Sequence, residues 1–324
     1  MPCTCCSPSA VYLVGMDFKA ILLQQCSRAS TLGAVYFFGA LASAQAPVIE
    51  VDLAATAVIS QGNTGTCWSF CTTSFLESEA HRITGELHDF SEMASVRVIY
   101  PEKVARYVRY QGHHQFGPGG LSHDVTHAAA VFGVVPQSVY NGGEGANGHD
   151  HGALDRKLTS MAKKLVKASE GVRPGSLDEV DALLNEELGA LPTSFNYQGV
   201  SYTPASFRDA MGIDPDAYVT MSSFTHHPFG APFILEVPDN HAEGAFWNVP
   251  LDDLEATVHH ALENGYTVAW DADVSNEGFS FLDGWAIMPA VAERKEEWKT
   301  LGAMPMEPAV DQGMRQAAFD AQET

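Results

Sequence analysis

The sequence predicts an α+β fold with a helical first half and a β-rich second half. Two amphipathic runs, 67–83 and 91–112, space their apolar residues as one face of a helix requires. Much later, the side chains of YTVAWDADV (266–274) alternate in polarity and include several β-branched residues. Both features are typical of a strand. We therefore expect helices early in the chain and a sheet that opens near its end.

The composition is that of a globular protein. Of 324 residues, 45% are hydrophobic and 18% are charged, which suffices for one large or two moderate domains. The formal net charge is −22. Such a charge repels phosphate groups, so we expect neither nucleic acid nor an anionic membrane as the main partner. No cofactor is expected, and the possibility of a homo-oligomer is left open.

Residues 1–46 are predicted to be a secretory signal peptide. Lys19 and Arg28 precede an apolar run at 31–44 that is too short to span a membrane, and small residues at 42–46 suit a cleavage site. The residues before Met16 are interpreted as a wrongly assigned start, and a helix retained in the folded protein is the alternative. The signal predicts a secreted or periplasmic protein.

The positions of the cysteines support the same division between a signal peptide and the rest of the chain. Four of the six cysteines precede residue 47, so Cys67 and Cys71 alone belong to the predicted mature chain. Two cysteines build no disulfide framework, and their spacing of four is not the C-x-x-C of redox proteins. We interpret Cys71 as a small buried residue.

Cys67 lies in QGNTGTCWSFCTTSFLESEAH (61–81), where a glycine-containing approach leads into a helix that begins at the cysteine. The positive end of a helix dipole favours a thiolate, which is the nucleophilic form of cysteine. Gln61 precedes Cys67 by six positions, so its side-chain amide is a candidate donor to the oxyanion that forms when a carbonyl is attacked.

These residues resemble a known family. Gln61, Gly65, Cys67, Trp68, Ser69 and Phe70 reproduce the pattern around the active cysteine of papain-like cysteine peptidases, and TCWSFCTTSFLESE looks most like the bleomycin hydrolase and aminopeptidase C branch. GPGGLSHDVTHAAAVFGVVPQSVYNG (117–142) and HALENGYTVAWDADVSNEGFS (260–280) resemble later parts of that family. The resemblance covers about residues 50–324 and implies an aminopeptidase type of thiol protease.

Two family segments are missing from the sequence. Papain-like enzymes take a histidine from a D-x-H-A/G-M type segment and an asparagine from an N-S-W-G type segment, and neither occurs here. MRQAAFDAQET (314–324) resembles the stretch just upstream of that histidine, which predicts a chain truncated at its C-terminus. Lowering a thiol pKa from about 8.5 to about 4 requires roughly 6 kcal/mol, whereas a helix terminus supplies about 0.3 to 2 kcal/mol. Impaired catalysis is therefore expected.

The remaining elements follow in order. Residues 48–60 are expected to run extended, Ser91 to cap the helix of 91–112, and a further helix to occupy about 122–132. We divide the chain after the signal into a helical half (47–149), a helical insertion (150–210) and the start of an antiparallel, β-rich half that lacks its C-terminal part (211–324). Ser176 and Glu179 are expected to form a capping box before LDEVDALLNEELG. A helix at 251–265 precedes the strand, and 292–308 is expected to be a surface connection.

Other candidate residues are less specific. Gly119 and Gly120 resemble the glycine pair whose backbone lies along a bound peptide in papain-like enzymes, with a plain turn as the alternative. His123 and His127 are four apart in H-D-V-T-H, which differs from the H-E-x-x-H zinc motif at its second position, so no metal is expected. Adjacent pairs such as His226-His227 are interpreted as solvated or packing residues, because neighbours on a helix or strand face different directions.

By resemblance, the predicted activity is hydrolysis of short peptides, with a peptide substrate as the partner and cleavage from the amino end. Cys67 would attack the carbonyl, and Gln61 with the Cys67 backbone N–H would hold the oxyanion. Two alternatives remain: a non-catalytic secreted peptide-binding homologue, and a gene fragment.

Overall fold

The computed structural model describes residues 49–168, 171–272, 279–280, 285–286 and 310–321. The predicted signal peptide and the predicted connection at 292–308 lie outside these residues. The helices are α1 (Cys67–Thr84), α2 (Glu92–Arg109), α3 (Ser122–Val131), α4 (Gly152–Lys167), α5 (Asp178–Leu188), α6 (Pro204–Ala210), α7 (Leu251–Glu263) and α8 (Gln312–Ala321). The strands are β1 (Phe195–Tyr197), β2 (Val200–Tyr202), β3 (Met221–Ser222), β4 (Ala231–Ile234), β5 (Ala245–Asn248), β6 (Phe279–Ser280) and β7 (Trp285–Ala286). The predicted α+β class is confirmed.

The first two helices begin where the sequence predicts, and the second ends at Arg109, three residues before the predicted end at 112. Helix α1 starts at Cys67 and ends at Gly85, whose φ of 79° is left-handed and whose N–H donates to the carbonyl of His81. Helix α2 is capped by Ser91, whose side chain accepts a hydrogen bond from Ala94 N. Both helices pack on α3, and the side chains of Ser69 and Thr72 donate across to Glu92 O and Ser122 Oγ, both at 2.7 Å.

The sheets are small. Strands β1 and β2 form an antiparallel hairpin, as do β6 and β7, and a three-stranded sheet has the order β3-β5-β4. Strand β4 is antiparallel to β5, but β3 runs parallel to it, so this sheet is mixed and not purely antiparallel.

Two hydrophobic clusters hold these elements together. The larger joins α1, α2 and α3 to α4, α5 and α6, and includes Ile99, Leu154, Leu184 and Phe207. Arg97 of α2 also donates to Asp181 Oδ1 at 3.1 Å and to Asn185 Oδ1 at 2.8 Å on α5. The smaller cluster lies between the sheet and α3, and its buried members are Leu121, Phe224, Phe233, Leu235, Phe246 and Ala269.

Three local predictions need correction. Ser176 does not cap α5, because its hydroxyl instead accepts from Arg173 N at 3.1 Å in the preceding turn and the helix begins two residues later. The segment 150–210 contains the β1–β2 hairpin as well as helices. Residues 266–272 adopt no strand, although Val268 and Ala269 are buried. The division into a helical half, an insertion and a β-rich half stays a prediction.

Two carboxyl groups are buried between α1 and α2. Glu77 accepts from Phe90 N at 2.7 Å and from the Thr56 hydroxyl, and Glu92 is 3% exposed. Burial raises the pKa of Glu77 to about 7 and the pKa of Glu92 to about 8. The native state therefore holds protons that the unfolded chain, with ordinary glutamate pKa values near 4.5, has already released between about pH 5 and 8. Stability should fall as pH rises through this window.

We expect Glu92→Gln to weaken this pH dependence. At pH 8.5 the variant should be more stable than wild type by roughly 1 to 3 kcal/mol, because it no longer buries a carboxylate, while at pH 5 the two should differ little. Urea unfolding followed by circular dichroism at both pH values measures the difference. Glu86→Gln, at an exposed position after α1, is the matched control. A Glu92→Gln profile parallel to that of wild type would show that Glu92 ionises normally in the folded protein.

Candidate active site

Cys67 is the first residue of an 18-residue helix, and its side chain is half-buried. The preceding Thr66 is fully buried, and its carbonyl accepts from Ser69 N at 2.9 Å and Phe70 N at 3.2 Å. No acidic residue lies in the first turn of α1. A thiolate at this position is therefore favoured by the helix dipole and meets no negative side chain from that turn.

The loop before the cysteine is fixed by its own side chains. Gln61 Nε2 donates to Thr64 O at 2.9 Å, and Thr64 Oγ1 donates back to Gln61 O at 3.0 Å. The hydroxyls of Thr64 and Thr66 are 2.6 Å apart. Gln61 thus belongs to the loop that ends at Cys67, as predicted, and its amide is engaged with the loop backbone. Its role as an oxyanion donor stays a prediction.

The same loop is anchored to residues 149–151. Asn63 N donates to His149 O at 2.8 Å, and His151 N donates to Asn63 O at 3.1 Å. Gly62 has a φ of +67°, and a Cβ there would lie 2.4 Å from His149 O. Only glycine allows this backbone approach, so Gly62 helps to position the cysteine.

The Gly119-Gly120 pair lies beside the start of α1. Trp68 Nε1 donates to Pro118 O at 3.1 Å, and a Cβ on Gly120 would lie 3.0 Å from atoms of the Trp68 ring. A Cβ on Gly119 would lie 2.4 Å from the Asp239 carboxylate. Packing alone therefore explains both glycines. Their role in holding a peptide stays a prediction, although the structure brings them next to the residue that follows Cys67.

A buried charged cluster that the sequence did not predict surrounds these glycines. Lys103 Nζ donates to Gly119 O, and Asp124, 1% exposed, accepts from Leu121 N at 2.8 Å. His241 Nδ1 is 3.5 Å from Asp124 Oδ2, and burial lowers the pKa of His241 to about 4. Burial also raises the pKa of Asp239. Together with the Trp68–Pro118 hydrogen bond, the contacts of Lys103 and Asp124 hold the glycine loop in place.

The other cysteine of α1, Cys71, links the helix to a later part of the chain. Cys71 Sγ donates to Trp270 O over 3.9 Å, and its side chain is half-buried, not fully buried as expected. Neither Cys67 nor Cys71 forms a disulfide within the described residues. Each lies on α1, one turn apart, which makes Cys71 a natural comparison for the reactivity of Cys67.

One pair of histidines has separate neighbours, and another pair contacts a single carboxylate. In H-D-V-T-H, His123 Nε2 lies 3.8 Å from Asp124 Oδ1, whereas His127 Nε2 bonds Glu102 Oε2 at 3.0 Å, so the two rings have different neighbours. The adjacent pair His226-His227 does converge, because both rings contact Glu236. The expectation that neighbours cannot face one point is wrong here, since they occupy a turn and not a helix or strand.

A cavity of about 470 Å³ lies behind the glycine loop, lined by Tyr100, Lys103, Phe116, Pro118 and Arg156 among others. It is not lined by Cys67, Gln61, Gly119 or Gly120. The candidate nucleophile therefore stands apart from this cavity.

The fold is similar to that of a solved structure, PepW from Lactobacillus rhamnosis HN001, with a TM-score of 0.53 and 18% sequence identity. The match covers 68% of this chain and 59% of that one. The likeness shows the α+β fold. No protein-family model and no curated protein sequence matches the chain. Within the described residues, every helix is too short or too polar to cross a membrane.

Proposed function

We propose that this chain is a thiol-dependent, papain-like peptidase that acts on short peptides from their amino ends. The observation that carries the proposal is the position of Cys67, whose half-buried thiol lies at the first residue of α1. The resemblance of 61–81 to the cysteine motif of papain-like peptidases and the fold shared with PepW support it.

The proposed reaction begins with attack of the Cys67 thiolate on the scissile carbonyl carbon. The oxyanion would be held by the Cys67 backbone N–H and by Gln61, whose amide would turn from Thr64 O or use its second N–H. The C–N bond then breaks, the amine leaves with a proton from the general acid, and water hydrolyses the thioester. Gly119 and Gly120 would lie along the peptide backbone.

No residue of the sequence is assigned to the role of general acid and base in this reaction. Neither the histidine nor the asparagine segment of the family occurs in the 324 residues. Formation and hydrolysis of the thioester both require a general acid and base. A second candidate is a peptide-binding protein that keeps the site without turnover, and the engagement of the Gln61 amide with Thr64 O favours it. If residues 1–46 are a signal peptide, either protein acts outside the cytoplasm.

Thiol alkylation tests the proposal without requiring turnover. The helix dipole is worth up to about 2 kcal/mol and lowers a thiol pKa by up to about 1.5 units, of which roughly half is lost again through weaker nucleophilicity. Cys67 should therefore react with iodoacetamide at pH 6.5 about five-fold faster than Cys71. Peptide mapping by mass spectrometry gives both rates in one sample. Equal rates, or a faster Cys71, would contradict the proposal.

Aminoacyl chloromethyl ketones extend the same measurement to specificity. A reagent with a free amino group should label Cys67 faster than its N-acetylated counterpart if the protein recognises the amino end of a peptide. Protection of Cys67 by a peptide that is not itself cleaved would favour the peptide-binding candidate.

A further inference from the structure

Three metal-ligating side chains converge at one edge of the three-stranded sheet. His226 and His227 occupy the turn after β3, and Glu236 follows β4. His226 Nε2 lies 3.2 Å from Glu236 Oε2, and His227 Nε2 lies 2.7 Å from Glu236 Oε1. The three donor atoms all lie within 4.8 Å of one another. Two imidazoles and one carboxylate therefore face a common point.

The turn that carries the two histidines is held in place by a buried side chain of the sheet. Asn248 of β5 is fully buried, and its Nδ2 donates to His227 O and Phe224 O, both at 2.9 Å, while its Oδ1 accepts from Phe224 N at 2.9 Å. His227 also packs on Phe233, with ring centroids 4.8 Å apart. The backbone of the site is thus set by the sheet and does not depend on a ligand.

The outer face of His226 is oriented by α8. Its Nδ1 lies 3.1 Å from Gln316 Nε2 and 3.3 Å from Gln316 Oε1, and its ring stacks on Phe319 with centroids 5.3 Å apart and planes within 11°. Gln316 Oε1 also accepts from Thr225 N at 2.6 Å. The Gln316 amide and the Phe319 ring thus orient the imidazole with Nε2 toward Glu236. When Nε2 binds an ion, Nδ1 carries the proton and donates to Gln316 Oε1, which is the kind of outer partner that metal-binding histidines usually have.

We propose that His226, His227 and Glu236 bind a divalent transition-metal ion, with Zn²⁺ as the best match. Zinc takes imidazole nitrogen and carboxylate oxygen at about 2.0 to 2.2 Å, which places tetrahedral donors roughly 3.3 Å apart. The distance from His226 Nε2 to Glu236 Oε2, 3.2 Å, is close to this value, whereas His227 Nε2 lies at hydrogen-bond distance from Glu236 Oε1, 2.7 Å, and would move away as an ion enters. Three protein ligands leave a fourth position for water, and the strongly acidic chain favours cations in its surroundings.

The ion would fasten α8 to the sheet. It would join the ends of β3 and β4 directly, and through His226 it would stabilise the contacts of Gln316 and Phe319. We therefore expect bound metal to protect α8 from proteolysis as well as to raise the stability of the fold. This role is independent of Cys67 and of the proposed peptidase chemistry.

Zinc titration of the full chain tests the site. Thiols are first blocked with iodoacetamide so that cysteines do not compete, and affinity is measured against a chromophoric chelator. One equivalent should bind tightly. His227→Ala and Glu236→Gln should weaken it on the order of 100-fold or more, and Gln316→Ala by about 10- to 100-fold. His259→Ala, an exposed histidine 3.8 Å from Glu255 on α7, is the matched control and should bind as wild type does.

X-ray absorption at the zinc edge gives a second readout that does not depend on variants. It should show nitrogen and oxygen neighbours only, with the multiple scattering of imidazole. Unchanged affinity in both His227→Ala and Glu236→Gln would overturn the proposal, as would a zinc shell without imidazole. Circular dichroism of each variant in chelator separates loss of binding from loss of fold.

Discussion

Replacing Cys67 with alanine is expected to reduce hydrolysis of a fluorogenic aminoacyl substrate to the rate without protein. Removing the nucleophile of a covalent hydrolase costs on the order of 10³-fold or more in kcat, and no other sulfur starts a helix among the described residues. The assay uses high protein concentration and long incubation, so that slow turnover is also detected.

Cys71→Ala is the matched control, because Cys71 is the other cysteine of α1 and contacts Trp270 O. It should leave the rate unchanged. Hydrolysis that survives in Cys67→Ala would exclude Cys67 as the nucleophile. Wild-type turnover near an ordinary enzymatic rate of about 10 s⁻¹, abolished by Cys67→Ala, would instead contradict the expected impairment and show that another residue of this chain serves as the base.

Replacing Phe207 with alanine is expected to cost about 3 to 5 kcal/mol of stability. Phe207 on α6 is fully buried, and four aromatic rings contact it edge-on at centroid distances of 5.2 to 5.9 Å. Those rings are Phe90, Phe195, Tyr197 and Tyr202. Alanine leaves a cavity where the β1–β2 hairpin, α6 and the loop before α2 meet, and urea unfolding measures the loss.

Phe229→Ala is the matched control, because Phe229 is 41% exposed. Its cost should stay within about 0.5 kcal/mol. A loss below about 1 kcal/mol for Phe207→Ala would show that the hairpin and α6 unfold separately from the helical half.

Helix boundaries were predictable where the residue at the end of the helix itself starts, caps or terminates it. The dipole argument needs Cys67 at a helix start, Ser91 supplies a cap and Gly85 a left-handed end, and the structure has all three. Ser176 misled because a serine before a helix serves a turn equally well, and here its hydroxyl accepts from Arg173 N. The strand pattern at 266–272 misled because alternation signals propensity, whereas a strand also requires a paired neighbour.

In the candidate site, too, only the proximity of residues within one short segment was predictable. Gln61 and Cys67 share one loop, so their proximity follows from sequence spacing. Lys103, Asp124 and the loop that carries Asp239 and His241 are three separate segments, and no local pattern marks their meeting around Gly119. Convergence of His226 and His227 on Glu236 was missed because the directional rule for adjacent residues applies to regular elements, not to a turn.

The hydroxyl contact between Thr64 and Thr66 has a wider consequence. Together with the Asn63–His149 backbone bond, it fixes the loop before Cys67 through residues that precede position 150. Substitutions in the later, sheet-forming part of the chain should therefore leave this loop intact. In an engineering setting, that part could be exchanged without rebuilding the approach to Cys67.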